Sequence, residues 1–129
     1  FANALKMAKE ENKLLFVDCF TTWCGPCRML SKVVFKDSLV ADYFNRHFVN
    51  LKMDMEKGEG IDIKKRYDVR GYPTLLFLNS SGEVVHRLLG ADEASALLEK
   101  VKRVSVTLLL SADISMYFLP PTVKKRQEK

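Results

Sequence analysis

Two cysteines separated by two residues, Cys24 and Cys27, are the side chains whose types and spacing most clearly suggest chemistry. Thiols at this separation can close and open a disulfide, and so give up or accept two electrons. Residues 14–20, just before the pair, form an apolar run typical of a buried strand, whereas residues 24–35 have the apolar spacing of a helix. Cys24 is therefore expected at a helix N-terminus, where unpaired N–H groups and the helix dipole lower the pKa of a thiol.

The position of each thiol along this helix predicts its role. Cys24, expected to be partly exposed at the helix start, is the candidate nucleophile, whose thiolate attacks a substrate disulfide and forms a mixed disulfide. Cys27 lies one turn deeper and is the candidate resolving thiol that releases the product. Gly25 and Pro26 keep the intervening turn tight, since proline is tolerated in the first turn of a helix. This exchange needs no organic cofactor.

The same cysteine pair could instead be half of a metal site. A four-ligand zinc site usually needs a second pair of cysteine or histidine ligands. Cys19, His47 and His86 lie on different predicted elements and lack such a spacing. We therefore favour redox chemistry and expect no metal. Cys19 is the odd thiol, and it is expected to be a small buried apolar residue.

Asp18 also stands out, because a carboxylate within an apolar strand is costly unless it is paired or neutral. Burial raises the pKa of a carboxyl group. Asp18 could then take the proton of Cys27, through water, when a mixed disulfide is resolved. The alternative is that Asp18 faces solvent at the end of the strand.

The pattern of elements predicts an α/β fold. The predicted order is α-β-α-β-α-β-β-α, with the strands at 14–20, 48–55, 74–78 and 83–89. Strands joined through helices are expected to be parallel, and the last two to form a hairpin. The prediction is a mixed central sheet of about four strands flanked by helices on both faces, with the first strand at its centre and the last at its edge.

Composition limits the other possibilities. The chain has 129 residues, of which 47% are hydrophobic and 29% charged, which is ordinary for one globular domain. The formal charge is +5, and much of it comes from four basic residues within 124–129. The rest of the chain shows no basic, aromatic-rich face of the kind that binds nucleic acid. No apolar stretch reaches the length of about 20 residues that a membrane span needs. Residues 104–129 are expected to be a C-terminal extension or the start of a linker.

Residues 1–103 resemble the thioredoxin superfamily in four separate sequence features. Residues 23–27 (WCGPC) match its active-site motif, and Asp18, six residues before Cys24, matches its buried acid. Residues 70–74 (RGYPT) match the loop that carries its cis-proline, and Gly90 matches the glycine after its last strand. The resemblance implies a thioredoxin fold and a thiol–disulfide oxidoreductase.

The resemblance also implies roles for residues around the cysteines. Pro73 would be cis and close to the pair, and the backbone of Tyr72 would bind an extended substrate peptide as an added strand. Trp23 would shield the thiols and offer apolar contact to a substrate. Gly25 and Pro26 would belong to the same substrate-binding surface.

Two features of the sequence depart from classical thioredoxins. Residues 34–44 resemble the longer helix connection of thioredoxin-like and disulfide-isomerase-like domains in bacterial envelope proteins. This resemblance implies a periplasmic or cell-envelope location, with the cytoplasm as the alternative. Asn50 stands where thioredoxins have a lysine beside the buried acid.

The sequence therefore supports a monomeric protein disulfide reductase or isomerase. Its partners would be proteins with disulfides or dithiols, together with a redox partner that recycles the cysteine pair. The Gly-Pro dipeptide resembles that of reducing thioredoxins rather than that of strong oxidants. The alternative is a binding or electron-relay module that serves one dedicated partner and has little general reductase activity.

Overall fold

The protein is described by a computed structural model that covers residues 1–104. The elements from the start of the chain are α1 (Ala2–Glu11), β1 (Leu14–Phe20), α2 (Gly25–Lys32), α3 (Ser38–His47), β2 (Phe48–Asp54), α4 (Gly60–Arg66), β3 (Thr74–Leu78) and β4 (Val84–Leu89). Residues 94–104 are helical and form α5. The predicted C-terminal extension is residues 104–129, and all of it after residue 104 lies outside the described residues.

The elements from α1 to β4 belong to one compact unit, Phe1–Leu98, and a second unit begins at Glu99. The first unit holds a four-stranded sheet with the strand order β2-β1-β3-β4. β1 is buried along almost its whole length because its sequence, LLFVDCF, is apolar on both faces. The predicted central place of β1 and the edge place of β4 are confirmed.

The direction of β3 differs from the prediction. β1 and β2 are parallel, as expected, but β3 is antiparallel to β1 and therefore to β2. The connection between β2 and β3, residues 55–73, includes α4 and returns the chain to the end of the sheet where β1 and β2 stop, and β3 starts there. A connection of this length allows either strand direction, so its presence does not predict a parallel pair.

Helices cover both faces of the sheet, as predicted, because the side chains of β1 alternate between two cores. Leu15, Val17 and Cys19 pack in one apolar cluster with Ala8 of α1 and Ile63 of α4. On the other face, rings pack at centroid separations of 4.8–6.4 Å around Phe16, and they belong to Phe35, Phe44, Phe48 and Phe77. The second core holds α3 and the turn before it against the sheet.

The predicted helix over 24–35 is shorter than expected. α2 ends at Lys32, and a 3-10 turn, Val34–Lys36, follows it. Val33 and Val34 are β-branched, which lowers their preference for a continued helix. Asp37 then caps α3 by accepting hydrogen bonds from the N–H groups of Leu39 and Val40. Among residues 1–104, no helix has the length and apolar character needed to cross a membrane.

A first prediction concerns Gly60, where α4 starts against the end of β2. A Cβ atom at this position would overlap the carbonyl oxygen of Asp54 and lie 2.8 Å from its carbonyl carbon. Gly60→Ala is therefore expected to lower the free energy of unfolding by about 1–3 kcal/mol, because backbone must move to relieve the overlap. Chemical denaturation of the oxidised protein measures this change.

Gly25→Ala is the matched control, since Gly25 is the first residue of α2 as Gly60 is of α4. A Cβ atom at Gly25 would meet nothing within 4 Å. Equal losses of stability in the two variants would contradict the steric explanation.

Candidate active site

Cys24 and Cys27 form a disulfide at the N-terminus of α2, with their Cα atoms 5.3 Å apart. Cys24 is the N-cap residue, with extended backbone angles of φ −81° and ψ 113°. Its Sγ accepts a hydrogen bond of 3.2 Å from the backbone N–H of Cys27. Pro26 occupies the first turn, where it removes no helical hydrogen bond. This position favours a thiolate on Cys24 once the disulfide opens, because N–H groups and the helix dipole stabilise negative charge there.

Both sulfur-bearing residues are buried in this oxidised form. Cys24 is 4% exposed and Cys27 2% exposed, so the expectation of a partly exposed Cys24 is wrong for the disulfide. The neighbouring residues Trp23, Gly25 and Pro26 are exposed and form a rim beside the pair.

Asp18 lies on β1, opposite Lys52 of β2 and Leu75 of β3. It is 2% exposed, which excludes the alternative that it faces solvent. Among the residues described, neither carboxyl oxygen of Asp18 has a hydrogen-bond partner. Desolvation by burial raises the pKa of Asp18 to about 6, and the charge of Lys52 opposes part of that rise. Asp18 can therefore exchange a proton close to neutral pH.

Lys52 is a candidate functional residue that the sequence reasoning missed. Thioredoxins have a lysine where this chain has Asn50, and this chain has Lys52 two residues later. Residues two apart lie on the same face of a strand, and Lys52 is opposite Asp18. The Lys52 ammonium group donates a hydrogen bond to Ser31 Oγ of α2 and lies 4.8 Å from the centre of the Phe20 ring. Lys52 thus links the sheet row that contains Asp18 to the helix that carries the cysteines. The alternation along β2 was the signal that could have found it.

A cavity of about 230 Å³ lies beside Asp18. Phe16 and Phe35 supply its apolar side, whereas Asn50 and Lys52 supply polar groups. Asn50 donates hydrogen bonds to the Phe44 carbonyl oxygen, at 3.3 Å, and to Asn45 Oδ1, at 3.2 Å. A space of this size with polar groups on its wall can hold water. Water in this cavity can therefore carry a proton to or from Asp18.

Trp23 is held in a fixed position beside the cysteines. Its indole N–H donates a hydrogen bond of 2.8 Å to Glu56 Oε1, and its ring stands edge-on to Tyr72 with the centroids 5.8 Å apart. The indole remains 63% exposed. Sequence reasoning missed Glu56, because nothing in its local pattern connects it to Trp23, 33 residues away.

The loop before β3 approaches the cysteine motif through Tyr72. The Tyr72–Pro73 peptide bond is cis, as the resemblance implies. The Pro73 carbonyl oxygen accepts a hydrogen bond of 2.8 Å from the N–H of Gly90, which fixes the loop to the end of β4. Tyr72 precedes the first residue of β3, Thr74, so its backbone lies beyond the end of the sheet ladder.

Cys19 is buried on the opposite face of β1 from Asp18 and forms no disulfide. Burial, together with the charge of Asp18, raises the pKa of the Cys19 thiol to about 12, which makes it a poor nucleophile near neutral pH. Within residues 1–104, no three histidine, cysteine, aspartate or glutamate side chains are grouped so that they could hold a metal ion.

Comparisons with known proteins agree with this geometry. Residues 1–103 match the family model described as Thioredoxin. Thioredoxin H4 of Arabidopsis thaliana is 35% identical over 103 residues, which are 80% of this chain and 82% of that protein. A peptide-N(4)-(N-acetyl-beta-glucosaminyl)asparagine amidase of Caenorhabditis elegans is 32% identical over 101 residues, which are 78% of this chain but only 15% of that protein.

Among solved structures, the solution structure of a candidate disulphide-isomerase from Bacteroides thetaiotaomicron is 74% identical. The similarity covers 81% of this chain and 87% of that one, with a TM-score of 0.72. The family match spans the sheet, the cysteine pair and the Tyr72–Pro73 loop. The chain belongs to the thioredoxin family of disulfide oxidoreductases.

Proposed function

We propose that this chain reduces or isomerises disulfides of protein substrates, with Cys24 as the nucleophile and Cys27 as the resolving thiol. The observation that carries the proposal is the Cys24–Cys27 disulfide at the N-terminus of α2. A reversible disulfide that starts a helix combines an acidic thiol with a second thiol at bonding distance. The 74% identical disulphide-isomerase candidate from Bacteroides supports the same class of reaction.

In the reduced protein, the Cys24 thiolate attacks one sulfur of a substrate disulfide. The substrate S–S bond breaks, a Cys24–substrate disulfide forms, and the released substrate thiolate takes up a proton. Cys27 then loses its proton and attacks Cys24 Sγ. This step restores the Cys24–Cys27 disulfide and releases the second substrate thiol, so two electrons pass to the substrate. A dithiol donor protein must return them before the next cycle.

Asp18 is the proposed acceptor for the proton of Cys27. Three observations support this role: its burial, its unpartnered carboxyl oxygens and its pKa near neutrality. Lys52 ties the Asp18 side of the sheet to α2, and the adjoining cavity has room for water that can exchange protons with Asp18. Asp18 would therefore act on the reaction through water.

Trp23 and Tyr72 form the proposed substrate-binding wall next to the pair. The edge-on contact of their rings and the Trp23–Glu56 hydrogen bond limit the movement of this wall. The backbone of Tyr72 would bind an extended substrate segment as an added strand, and the exposed indole would cover an apolar side chain. Gly25, Pro26 and Pro73 would complete the surface.

A bacterial envelope location is part of the same proposal. The resemblance of residues 34–44 to the helix connection of bacterial envelope domains is its support. Fractionation of cells that express the full-length gene product, followed by detection of the protein in the periplasmic and cytoplasmic fractions, tests this location.

The roles of the two cysteines are tested by single substitutions. Cys24→Ser is expected to abolish insulin reduction driven by dithiothreitol, because it removes the attacking thiolate. After reduction and removal of the dithiothreitol, Cys27→Ser is expected to form a mixed disulfide with insulin that persists, since the variant has no second thiol beside Cys24 to resolve it. Non-reducing electrophoresis and mass spectrometry detect the adduct.

Cys19→Ser is the control for these variants, because Cys19 is buried on the far face of β1. Its activity should equal that of the unaltered protein. An adduct that accumulates on Cys27 in the Cys24→Ser variant would reverse the assignment. Wild-type protein that exchanges with a small disulfide but not with insulin would favour the dedicated relay.

The pKa of Asp18 predicts the pH dependence of stability. Because this pKa is about 6 in the folded protein and 3.8 for an ordinary aspartate, the folded state binds the extra proton between these values. The free energy of unfolding therefore falls as the pH rises from about 4 to about 6. Asp18→Asn should remove this fall and stabilise the protein by up to about 3 kcal/mol at neutral pH.

Denaturation of the oxidised proteins across this pH range measures the effect. Asp62→Asn, an exposed change on α4, is the control that alters the same net charge. The prediction fails if the difference in the free energy of unfolding between wild type and Asp18→Asn does not vary with pH. That result would contradict a raised pKa of Asp18 in the folded protein.

Lys52 predicts a shift in the pH dependence of catalysis. Its charge lowers the pKa of Asp18, so Lys52→Met should raise that pKa further and move the rise in the resolution rate to higher pH. Lys52→Arg keeps the charge and should behave more like wild type. Single-turnover resolution of a preformed mixed disulfide, followed across pH, measures both variants. Identical profiles for all three proteins would mean that Lys52 does not act on proton transfer.

A further inference from the structure

The outer face of α2 differs from the other helices in its charge. Residues 24–36 contain three basic side chains, Arg28, Lys32 and Lys36, and no acidic one. Each of the helices α1, α3, α4 and α5, by contrast, contains both acidic and basic residues. Arg28 and Lys32 are four residues apart on α2, which places them on the same side of this helix, and Lys36 follows in the 3-10 turn after it.

These cations have no carboxylate partner in the part of the chain that the structure describes. Basic side chains that form ion pairs there include Lys13, Arg46, Arg70 and Arg103. Arg28 is instead held by a hydrogen bond of 3.0 Å from its Nη1 to the carbonyl oxygen of Thr22. One guanidinium group is therefore fixed against the segment that leads into Cys24, and its charge is uncompensated.

Large apolar side chains lie exposed beside the cations. Met29 is 41% exposed, Val33 64% and Leu39 69%. Met29 and Val33 each follow one of the cations directly in the sequence, so apolar and basic groups adjoin on this surface. The buried residues of α2, Cys27 and Leu30, point the other way, into the protein. We call the exposed residues 28, 29, 32 and 33 along α2, together with residue 36 of the following turn and residue 39 at the start of α3, the basic–apolar face.

The basic–apolar face is continuous with the redox pair. α2 has 8 residues, about 12 Å of helix, and Cys24 is its N-cap. A protein whose sulfur meets Cys24 therefore has its surface close to Arg28 and Met29, and it needs only a modest extension to reach Lys36. The same contact covers apolar surface and brings opposite charges together when the partner is acidic.

We propose that the basic–apolar face is a docking surface for proteins whose reactive cysteines are flanked by acidic and apolar residues. This inference rests on the proposed thiol–disulfide exchange and adds a class of partner to it. Acidic flanks would be attracted by the three uncompensated cations, which raises the association rate. Met29, Val33 and Leu39 would then lose contact with water in the bound complex.

An anionic membrane surface is the other ligand that such a face suggests. The position of the disulfide favours a protein, because a bilayer seated on α2 would cover the end of the helix where Cys24 must meet its substrate. The test below separates the two.

Two synthetic peptides serve as probes, each closed by one disulfide and carrying the same apolar residues. One has aspartate and glutamate beside its cysteines, and the other has asparagine and glutamine. The reduced protein is expected to reduce the acidic peptide about tenfold faster at low ionic strength. This preference should disappear at about 0.5 M salt, since salt screens charges exposed to solvent.

Substitution of the face should remove the preference. The double variant Lys32→Glu with Lys36→Glu is expected to favour the neutral peptide, and Lys32→Gln with Lys36→Gln to treat both peptides alike. The control is Lys6→Glu with Lys9→Glu on α1, which changes the net charge equally but lies on a helix that packs in the other core. The control should keep the preference. Circular dichroism verifies that each variant folds.

Reduction of 2-hydroxyethyl disulfide, a small neutral compound, tests the exchange activity by itself. All variants should reduce it at the wild-type rate. If wild type fails here, the proposed function is wrong and the docking proposal falls with it. If wild type reduces it but reduces both peptides equally at low salt, only the docking proposal is overturned.

Two further results would also overturn the docking proposal. One is a loss of preference in the α1 control as large as in the α2 variants, because the effect would then reflect net charge. The other is binding of wild type, but not of the Lys32→Glu and Lys36→Glu variant, to phosphatidylglycerol vesicles without any peptide preference. That result would assign the face to a membrane.

Discussion

The reversal of chain direction between β2 and β3 is the constraint on which the rest of the site depends. Residues 55–73, which include α4, lead the chain from the end of β2 back to the same end of the sheet, so β3 begins where β1 ends. The loop with Tyr72 and Pro73 therefore faces the segment that leads from β1 into α2. The contact between the Trp23 and Tyr72 rings follows from this arrangement. A parallel β3 would place the loop at the opposite end of the sheet.

A second constraint is the carboxyl group of Asp18 between two strands. The sheet keeps it from solvent and offers it no hydrogen bond among the described residues, so its charged form is costly. The same burial raises its pKa to where proton exchange is possible near neutrality. Lys52 moderates this effect and is itself held by Ser31 and the Phe20 ring. The buried carboxylate of Asp18 thus lowers the stability of the folded protein at the position where the proposed mechanism needs a proton acceptor.

The sequence predicted what local pattern determines. The cysteine motif, the α2 N-terminus and the apolar β1 each depend on neighbours within a few residues, and the structure agrees with them. The direction of β3 depends on the end of the sheet at which the connection after β2 rejoins it, which apolar periodicity does not report. Lys52 and Glu56 were missed because they act through residues far away in sequence. The burial of Cys24 was missed because its position at a helix start does not report what packs around its side chain.

The placement of Trp23 also has a spectroscopic consequence. The chain contains one tryptophan, and it adjoins Cys24. All of the indole emission therefore comes from the edge of the redox site, where a disulfide can quench an excited ring and a dithiol quenches it less. The hydrogen bond to Glu56 and the contact with Tyr72 restrict the ring, so its anisotropy reports the order of the binding wall. The protein thus carries an intrinsic optical probe of its own oxidation state.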